Sequence, residues 1–101
     1  MITFVRTLEI SQGKGKEATE WLLKAAKLFK EHYPETNLQV MRNVGGKANQ
    51  LHWVDTHESL GAWEEMSKKV EANADLRALF VEGEGLFVDS SNVVSFYETI
   101  S

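Results

Sequence analysis

Residues 37–55, NLQVMRNVGGKANQLHWVD, decide the fold of this chain. Two strand-like runs, 37–44 and 49–55, flank Gly45-Gly46-Lys47-Ala48, and paired glycines suit a turn that needs positive φ. A short turn between two strands makes a hairpin, so these strands are antiparallel. The stretch therefore predicts a sheet that is not built from parallel strands alone.

Upstream of the hairpin, the sequence predicts a strand followed by a long helix. Residues 2–10 alternate between apolar and polar positions, as a strand with one buried face does. From Lys16 the apolar residues recur at helical spacing, with charged residues away from that stripe. Pro34 ends this helix after Tyr33.

Downstream, two helices and a last strand follow. Residues 59–71 show helical spacing, and Asn73 predicts a cap that opens a short third helix, which Gly83 and Gly85 stop. Residues 92–100 alternate again. Residues 56–58 are predicted to form the turn between the third strand and the second helix.

The resulting order, β-α-β-β-α-β, predicts an α+β domain of the ferredoxin-like, split βαβ type. It has a four-stranded antiparallel sheet with helices on one face, and residues 1–101 form a single domain. The second face also carries apolar residues, among them Val5, Met41, Val93 and Tyr97, together with either His52 or Trp53. An apolar sheet face usually marks an interaction surface, so we expect a homodimer packed sheet against sheet, a dimeric α/β barrel.

Composition excludes several classes of function. The net charge of −4 argues against a nucleic-acid partner, and Lys24 and Lys27 interrupt the most apolar helical stretch, which argues against a membrane span. The absence of cysteine excludes disulfides and thiolate sites and fits a cytoplasmic location. No targeting segment is evident at Met1-Ile2-Thr3-Phe4.

Most motif-like features have a simple structural interpretation. Residues 13–18 match the G-x-G-x-x-A dinucleotide pattern, but the hairpin removes the parallel strands that this site needs. His52 and His57 lie across a strand end and His32 has no carboxylate partner at ligand spacing, so no metal site is expected. No nucleophile-base-acid trio is visible, and no cofactor is expected.

Two features point to a binding site. Arg6 lies in register with Phe4 and Leu8, on the row assigned to the core, where a guanidinium needs a partner. It forms either a structural ion pair, with Glu98 for example, or the anion- or carbonyl-binding group of a pocket. Aromatic side chains are the second feature, because they could line a cavity between helices and sheet or simply fill the core. These side chains are Trp53, Trp63, Phe80 and Tyr97.

The opening residues resemble those of NIPSNAP-type domains. Phe4-Val5-Arg6-Thr7-Leu8, followed by Gly13-Lys14 and a helix, is similar to their "E-L-R-T-Y" and "P-G-K" pattern, with Leu8 and Gln12 as departures. His52-Trp53 and Glu58-Ser59-Leu60 resemble their third strand and second helix. The resemblance implies the dimeric α/β-barrel group, which includes antibiotic-biosynthesis-type monooxygenases.

The resemblance does not bring one activity with it. Haem-degrading members of the group use asparagine, tryptophan and histidine at positions that fall on Arg6, Trp63 and Asn73, so only the tryptophan agrees. Cofactor-independent oxygenation of phenols relies on a few polar groups, and Arg6, His52 and Tyr97 are the candidate catalytic residues here.

We therefore expect a small homodimeric protein that binds a small aromatic or apolar molecule between helices and sheet. Its candidate pocket residues are Arg6, His52, Trp63 and Phe80. It would act as a cofactor-independent monooxygenase or isomerase, with Arg6 stabilising an oxyanion and His52 moving a proton. The alternative is a non-catalytic NIPSNAP-like interaction or stress-response module. The sequence leaves open whether the protein is an enzyme.

Overall fold

The structure, a computed structural model, describes residues 1–101. Its strands are β1 (Ile2–Glu9), β2 (Gln39–Arg42), β3 (Gln50–His57) and β4 (Val93–Glu98), and its α-helices are α1 (Gly15–His32), α2 (Leu60–Ala72) and α3 (Ala74–Glu82). A short 3-10 helix, Pro34–Thr36, follows α1. The predicted order of elements and the predicted fold class are confirmed.

The four strands form one antiparallel sheet in the order β2-β3-β1-β4. The central pair β1 and β3 places Phe4 opposite Asp55 and Arg6 opposite Trp53. Because directly opposed residues point to the same face, these four side chains share the side that carries the helices, which we call the helix face. The other side, the open face, carries no helix.

The hairpin between β2 and β3 forms where the glycines predicted it. Gly46 has a φ of 74°, the conformation that glycine adopts at least cost. The second strand is shorter than predicted, since only residues 39–42 pair with β3. The remaining residues, 43–49, form the connecting loop.

The third strand is longer than predicted, which corrects the turn placed at residues 56–58. Thr56 and His57 pair with Thr3 and Ile2 of β1, so the strand continues to His57. The physical reason is that β1 begins at Ile2 and supplies partners for these two residues. The extra residues bring His57 onto the helix face, two positions after Asp55.

The helices begin and end close to the predicted residues. Ser59 caps α2 by accepting a hydrogen bond from the Ala62 amide, and the predicted cap at Asn73 accepts from the Asp75 and Leu76 amides. Helix α3 ends at Glu82, immediately before Gly83. No helix of the chain has the length and apolar character needed to cross a membrane.

The tightly packed core is small and lies mainly under α1. It consists of two clusters, one of Ala18, Leu22 and Leu51 and the other of Ala26, Phe29 and Leu38. Only 14 of the 101 residues are buried. Helices α2 and α3 therefore do not close tightly over β1, and a cavity lies between them and the sheet.

Candidate functional site

A cavity of about 460 Å³ lies between the helix face of the sheet and the three helices. Strands β1 and β3 form its floor, α1 and α2 form two walls, and α3 with the loop that follows it forms the rest. Cavities of this size hold small molecules. The groove between α1 and α3 is more open to solvent and is lined mainly by charged and small side chains.

Aromatic side chains dominate the cavity wall. All three tryptophans of the chain and four of its five phenylalanines line it, and they come from every element around it. These residues are Phe4, Trp21, Phe29, Trp53, Trp63, Phe80 and Phe87. Such a wall offers flat apolar surfaces on several sides, which suits a flat apolar ligand.

The rings are held by one another and by the backbone. Trp63 stacks on Phe4 at 5.7 Å between centroids and meets Phe96 edge-on at 4.8 Å. Trp21 donates a hydrogen bond from its indole Nε1 to the Leu79 carbonyl at 2.8 Å, which ties α1 to α3. These contacts support the rings of the wall from within the chain.

Trp21 also packs directly against the backbone at Gly83. A Cβ atom at position 83 would lie 2.5 Å from Cε2 of the Trp21 ring, so only glycine fits there without displacing the indole. This contact lets the chain leave α3 close to the cavity. The sequence showed Gly83 only as a helix stop.

Arg6 lies at the centre of the cavity floor and has no protein partner. Its guanidinium forms no ion pair and no hydrogen bond, and its nearest aromatic neighbour is Phe4, with Cζ at 5.5 Å from the ring centroid. The expected ion pair with Glu98 is absent, because Val94 rather than Glu98 lies opposite Arg6 on β4.

The surroundings of Arg6 are partly dry. Its side chain is exposed through the cavity opening, yet desolvation by the neighbouring groups lowers the pKa of Arg6, while the charge of Asp55 opposes that effect. Removal of water from a cation strengthens its attraction for an anion. Arg6 is therefore available to a ligand.

Asp55 lines the cavity floor with Arg6 and forms a buried pair with His57, which does not itself line the cavity. His57 Nε2 lies 2.9 Å from Asp55 Oδ1, and the Trp53 indole donates to Asp55 Oδ2 at 3.4 Å. The side chains of Asp55 and His57 are 2% and 4% exposed. Burial raises the pKa of Asp55, while its hydrogen bonds to His57 and Trp53 and the charges of His57 and Arg6 counteract this effect.

Sequence reasoning missed the Asp55–His57 pair. It placed His57 in a turn, so the two side chains were never considered on one face. The available signal was the period-two run Leu51, Trp53, Asp55, His57, in which every second residue continues the helix face.

The structure brings together only part of the predicted site. Arg6, Trp63 and Phe80 line the cavity, whereas His52 and Tyr97 do not. Both lie on the open face, since His52 is opposite Thr7 and Tyr97 opposite Thr3. His52 was predicted in the pocket, and His52 and Tyr97 among the catalytic candidates, but both lie outside this cavity on the other side of the sheet.

His52 instead belongs to a polar network on the open face. Its Nδ1 lies 2.9 Å from Thr7 Oγ1, and its Nε2 contacts Asn43 Oδ1. Asn43 in turn donates to Gln50 Oε1 at 3.1 Å. Nowhere in the chain do three or more histidine and carboxylate side chains gather in a way that could hold a metal ion.

Comparisons with known proteins show which solved structures share this fold. No protein-family model and no curated protein matches the sequence. Among solved structures, an uncharacterized NIPSNAP domain protein from Burkholderia xenovorans superimposes with a TM-score of 0.83 at 14% identity, covering 98% of this chain and 94% of that one.

Two further solved structures extend the match. A NIPSNAP family protein from Agrobacterium tumefaciens has a TM-score of 0.82 at 16% identity, covering 96% of this chain and 90% of that one. SnoaB, a cofactor-independent oxygenase from Streptomyces nogalater, solved as a single-site variant, has a TM-score of 0.70 at 13% identity and covers 99% and 93%. At such identities the likeness concerns the fold. The chain therefore has the ferredoxin-like fold shared by NIPSNAP domain proteins and antibiotic-biosynthesis-monooxygenase-like proteins, the group that its opening residues resemble.

Proposed function

We propose that this protein binds a small aromatic molecule in the cavity between its helices and its sheet. The observation that carries the proposal is the concentration of aromatic side chains there, including every tryptophan of the chain. A core that merely needed filling would close over these rings, but here they surround about 460 Å³ of space. The polar groups in the floor, Arg6 and Asp55, would orient the ligand.

A binding test with a neutral fluorescent probe, N-phenyl-1-naphthylamine, examines this proposal. Ser67 lines the cavity from α2, so Ser67→Phe adds a ring inside it and should weaken probe binding about tenfold or more. Lys69→Phe adds the same ring to an exposed position of the same helix and should leave binding unchanged. Absence of probe binding by the wild type, or equal binding by Ser67→Phe, would contradict the proposal.

The same site supports an activity of acid–base type. In this part of the proposal, Arg6 stabilises an oxyanion on the ligand and Asp55, backed by His57, exchanges a proton with it. Asp55 takes the proton from a CH2 group conjugated to a carbonyl of the ligand, and the charge of the resulting carbanion spreads onto the oxygen beside Arg6. An isomerase returns the proton to another carbon. In a cofactor-independent oxygenase the carbanion adds dioxygen, and the peroxide takes up a proton and loses water to leave a new carbonyl group. SnoaB, which shares the fold, is such an oxygenase.

A non-catalytic binding module is the alternative, and one observation favours it. Both carboxylate oxygens of Asp55 are already engaged, and the residue is 1% exposed, which limits its contact with a substrate. The variant Arg6→Ala tests whether Arg6 serves ligand binding, with or without catalysis, or serves only the stability of the fold. Retained stability with lost binding of an oxygen-bearing ligand, 2-naphthol, supports a ligand site, and lost stability with unchanged binding of 2-naphthol assigns Arg6 to the fold alone.

We further propose that two copies pack through their open faces. The open face carries exposed apolar side chains, Met41, Val93 and Tyr97, beside the threonines of β1. With so few buried residues in the single chain, a second copy would supply the missing burial. Light scattering at micromolar concentration should give twice the chain mass, and the mass of one chain would refute the dimer.

A further inference from the structure

Arg6 forms no ion pair within the chain, and this indicates the charge of the ligand that the cavity would bind. We infer that the cavity is built for an aromatic carboxylic acid, whose carboxylate pairs with the Arg6 guanidinium while its ring lies among the tryptophans and phenylalanines. This inference rests on the proposed binding function and adds the charge of the ligand to it. Three features of the floor lead to it.

The first feature is the geometry of Arg6 on the sheet. β1 and β3 hold it opposite Trp53, and Phe4 lies beside it, so rings flank the guanidinium. A carboxylate accepts two parallel hydrogen bonds from a guanidinium, and this pairing is specific as well as strong. With no ion pair or hydrogen bond in the chain, all the donors of Arg6 remain free for such a ligand.

The second feature is that the one carboxyl group in the floor is committed elsewhere. Asp55 accepts from the Trp53 indole on one oxygen and contacts His57 on the other, so it lies outside ion-pair distance of Arg6. The charge of Asp55 still acts on Arg6, but the two side chains form no ion pair.

The third feature is the contrast between the floor and the rim. Glu71 and Glu84 also line the cavity, but both are exposed, at the end of α2 and after α3. Arg6 is exposed as well, but only through the cavity opening, and the groups around it remove part of its water. An anionic group of a ligand is therefore favoured at the floor beside Arg6 rather than at the rim.

A matched pair of ligands tests the inference by isothermal titration calorimetry. 2-Naphthoate and 2-naphthamide have the same ring and nearly the same shape, but only the first is charged at neutral pH. The wild type should bind 2-naphthoate about tenfold or more tightly than 2-naphthamide. Arg6→Gln should abolish that preference, and Arg6→Lys, which keeps the charge but loses the two-pronged geometry, should reduce it.

Arg42→Gln is the control, because Arg42 is an exposed arginine of the same sheet outside the cavity, and the preference should be unchanged. Equal binding of the two ligands by the wild type would overturn the inference while leaving the aromatic cavity in place. A preference that survives Arg6→Gln in a folded variant would also overturn it. Failure of both ligands to bind would count against the proposed function itself.

Discussion

Asp55 is the polar residue whose environment differs most from that of water. Its side chain is 2% exposed and shares its hydrogen bonds with His57 and Trp53. An ionised carboxylate at such a place needs these partners, since burial without them is costly. Because burial and hydrogen bonding both act on the Asp55 carboxyl group, the stability of the fold should depend on pH through this residue.

Asp55→Asn should flatten the pH dependence of stability. Burial raises the pKa of Asp55, so the folded state holds the proton more tightly than the unfolded state does. Stability therefore falls as pH rises from the ordinary aspartate pKa of about 3.9 through the raised value. Urea unfolding over this range should show a smaller decline for Asp55→Asn than for the wild type.

Asp89→Asn provides the control, since Asp89 is exposed in the loop before β4 and should leave the wild-type slope unchanged. Parallel pH profiles for the wild type and Asp55→Asn would contradict the assignment of a raised pKa to this residue.

Gly83 is the position where the backbone approaches a side chain most closely. Gly83→Ala places a methyl group 2.5 Å from the Trp21 ring and should cost about 1–3 kcal/mol of unfolding free energy. Gly45→Ala, which meets no atom within 4 Å, should change stability by about 0.5 kcal/mol or less. Equal unfolding midpoints in urea for the two variants would show that Trp21 moves away freely.

For single residues, the sequence predicted which face of the sheet Arg6 lies on but not which side chains surround it. The period of β1 places Arg6 with Phe4 and Leu8, and the structure agrees. The Asp55–His57 pair was missed because the strand was ended at Asp55, although the alternation of Leu51, Trp53, Asp55 and His57 continues past that point. The same register decides that Trp53, rather than His52, faces the helices.

Among the elements, α3 matters most for the site, since it carries Phe80 and accepts the hydrogen bond of Trp21 at Leu79. Helix α3 has nine residues, so its stability depends strongly on its cap and its packing. The cap is Asn73, which accepts from two backbone amides. One wall of the cavity thus relies on one side chain.

Asn73→Ala should lower the unfolding free energy by about 1 kcal/mol, because it leaves those amides without their acceptor. Asn73→Asp keeps an acceptor oxygen and should restore most of the loss. Chemical denaturation of the three proteins measures both effects. A variant Asn73→Ala as stable as the wild type would mean that tertiary packing alone holds α3.

The order of the helices and strands could be predicted from the sequence, but the residues at which the strands end could not be predicted as well. The glycine pair, Pro34 and Asn73 each mark a boundary that the structure confirms. The pairing partner, not the local sequence, sets the ends of β2 and β3. Thr56 favours a strand, but His57 has no strong preference, so local sequence alone did not show that the strand continues to His57.

For the whole molecule, the open face is a side of the sheet on which apolar side chains remain exposed to solvent. Val93→Glu introduces a charge at a residue that is 57% exposed on this face, and a dimer through it should dissociate. Val44→Glu adds the same charge in the hairpin loop, where valine is fully exposed, and should leave the dimer intact. Light scattering of both variants measures their mass in solution. If Val93→Glu remains dimeric, the interface lies elsewhere on the molecule.

The cavity itself is a property of the whole molecule that no local pattern predicts. Aromatic residues at helical spacing are as compatible with a filled core as with a lined pocket. The outcome depends on the distance at which α2 and α3 lie from β1, which the connections and the small core determine together. The aromatic composition was visible in the sequence, but the space between the rings was not.

A titration followed by two-dimensional ¹H–¹⁵N NMR tests the binding of an aromatic molecule in this cavity most directly. The chain has three tryptophans, all in the cavity wall, so it gives three indole N–H signals that report on this site. Addition of N-phenyl-1-naphthylamine should shift all three signals with one saturation curve, together with amides of β1 near Arg6. Saturable shifts confined to the open face around His52 and Tyr97, or no saturable shift at all, would contradict the account.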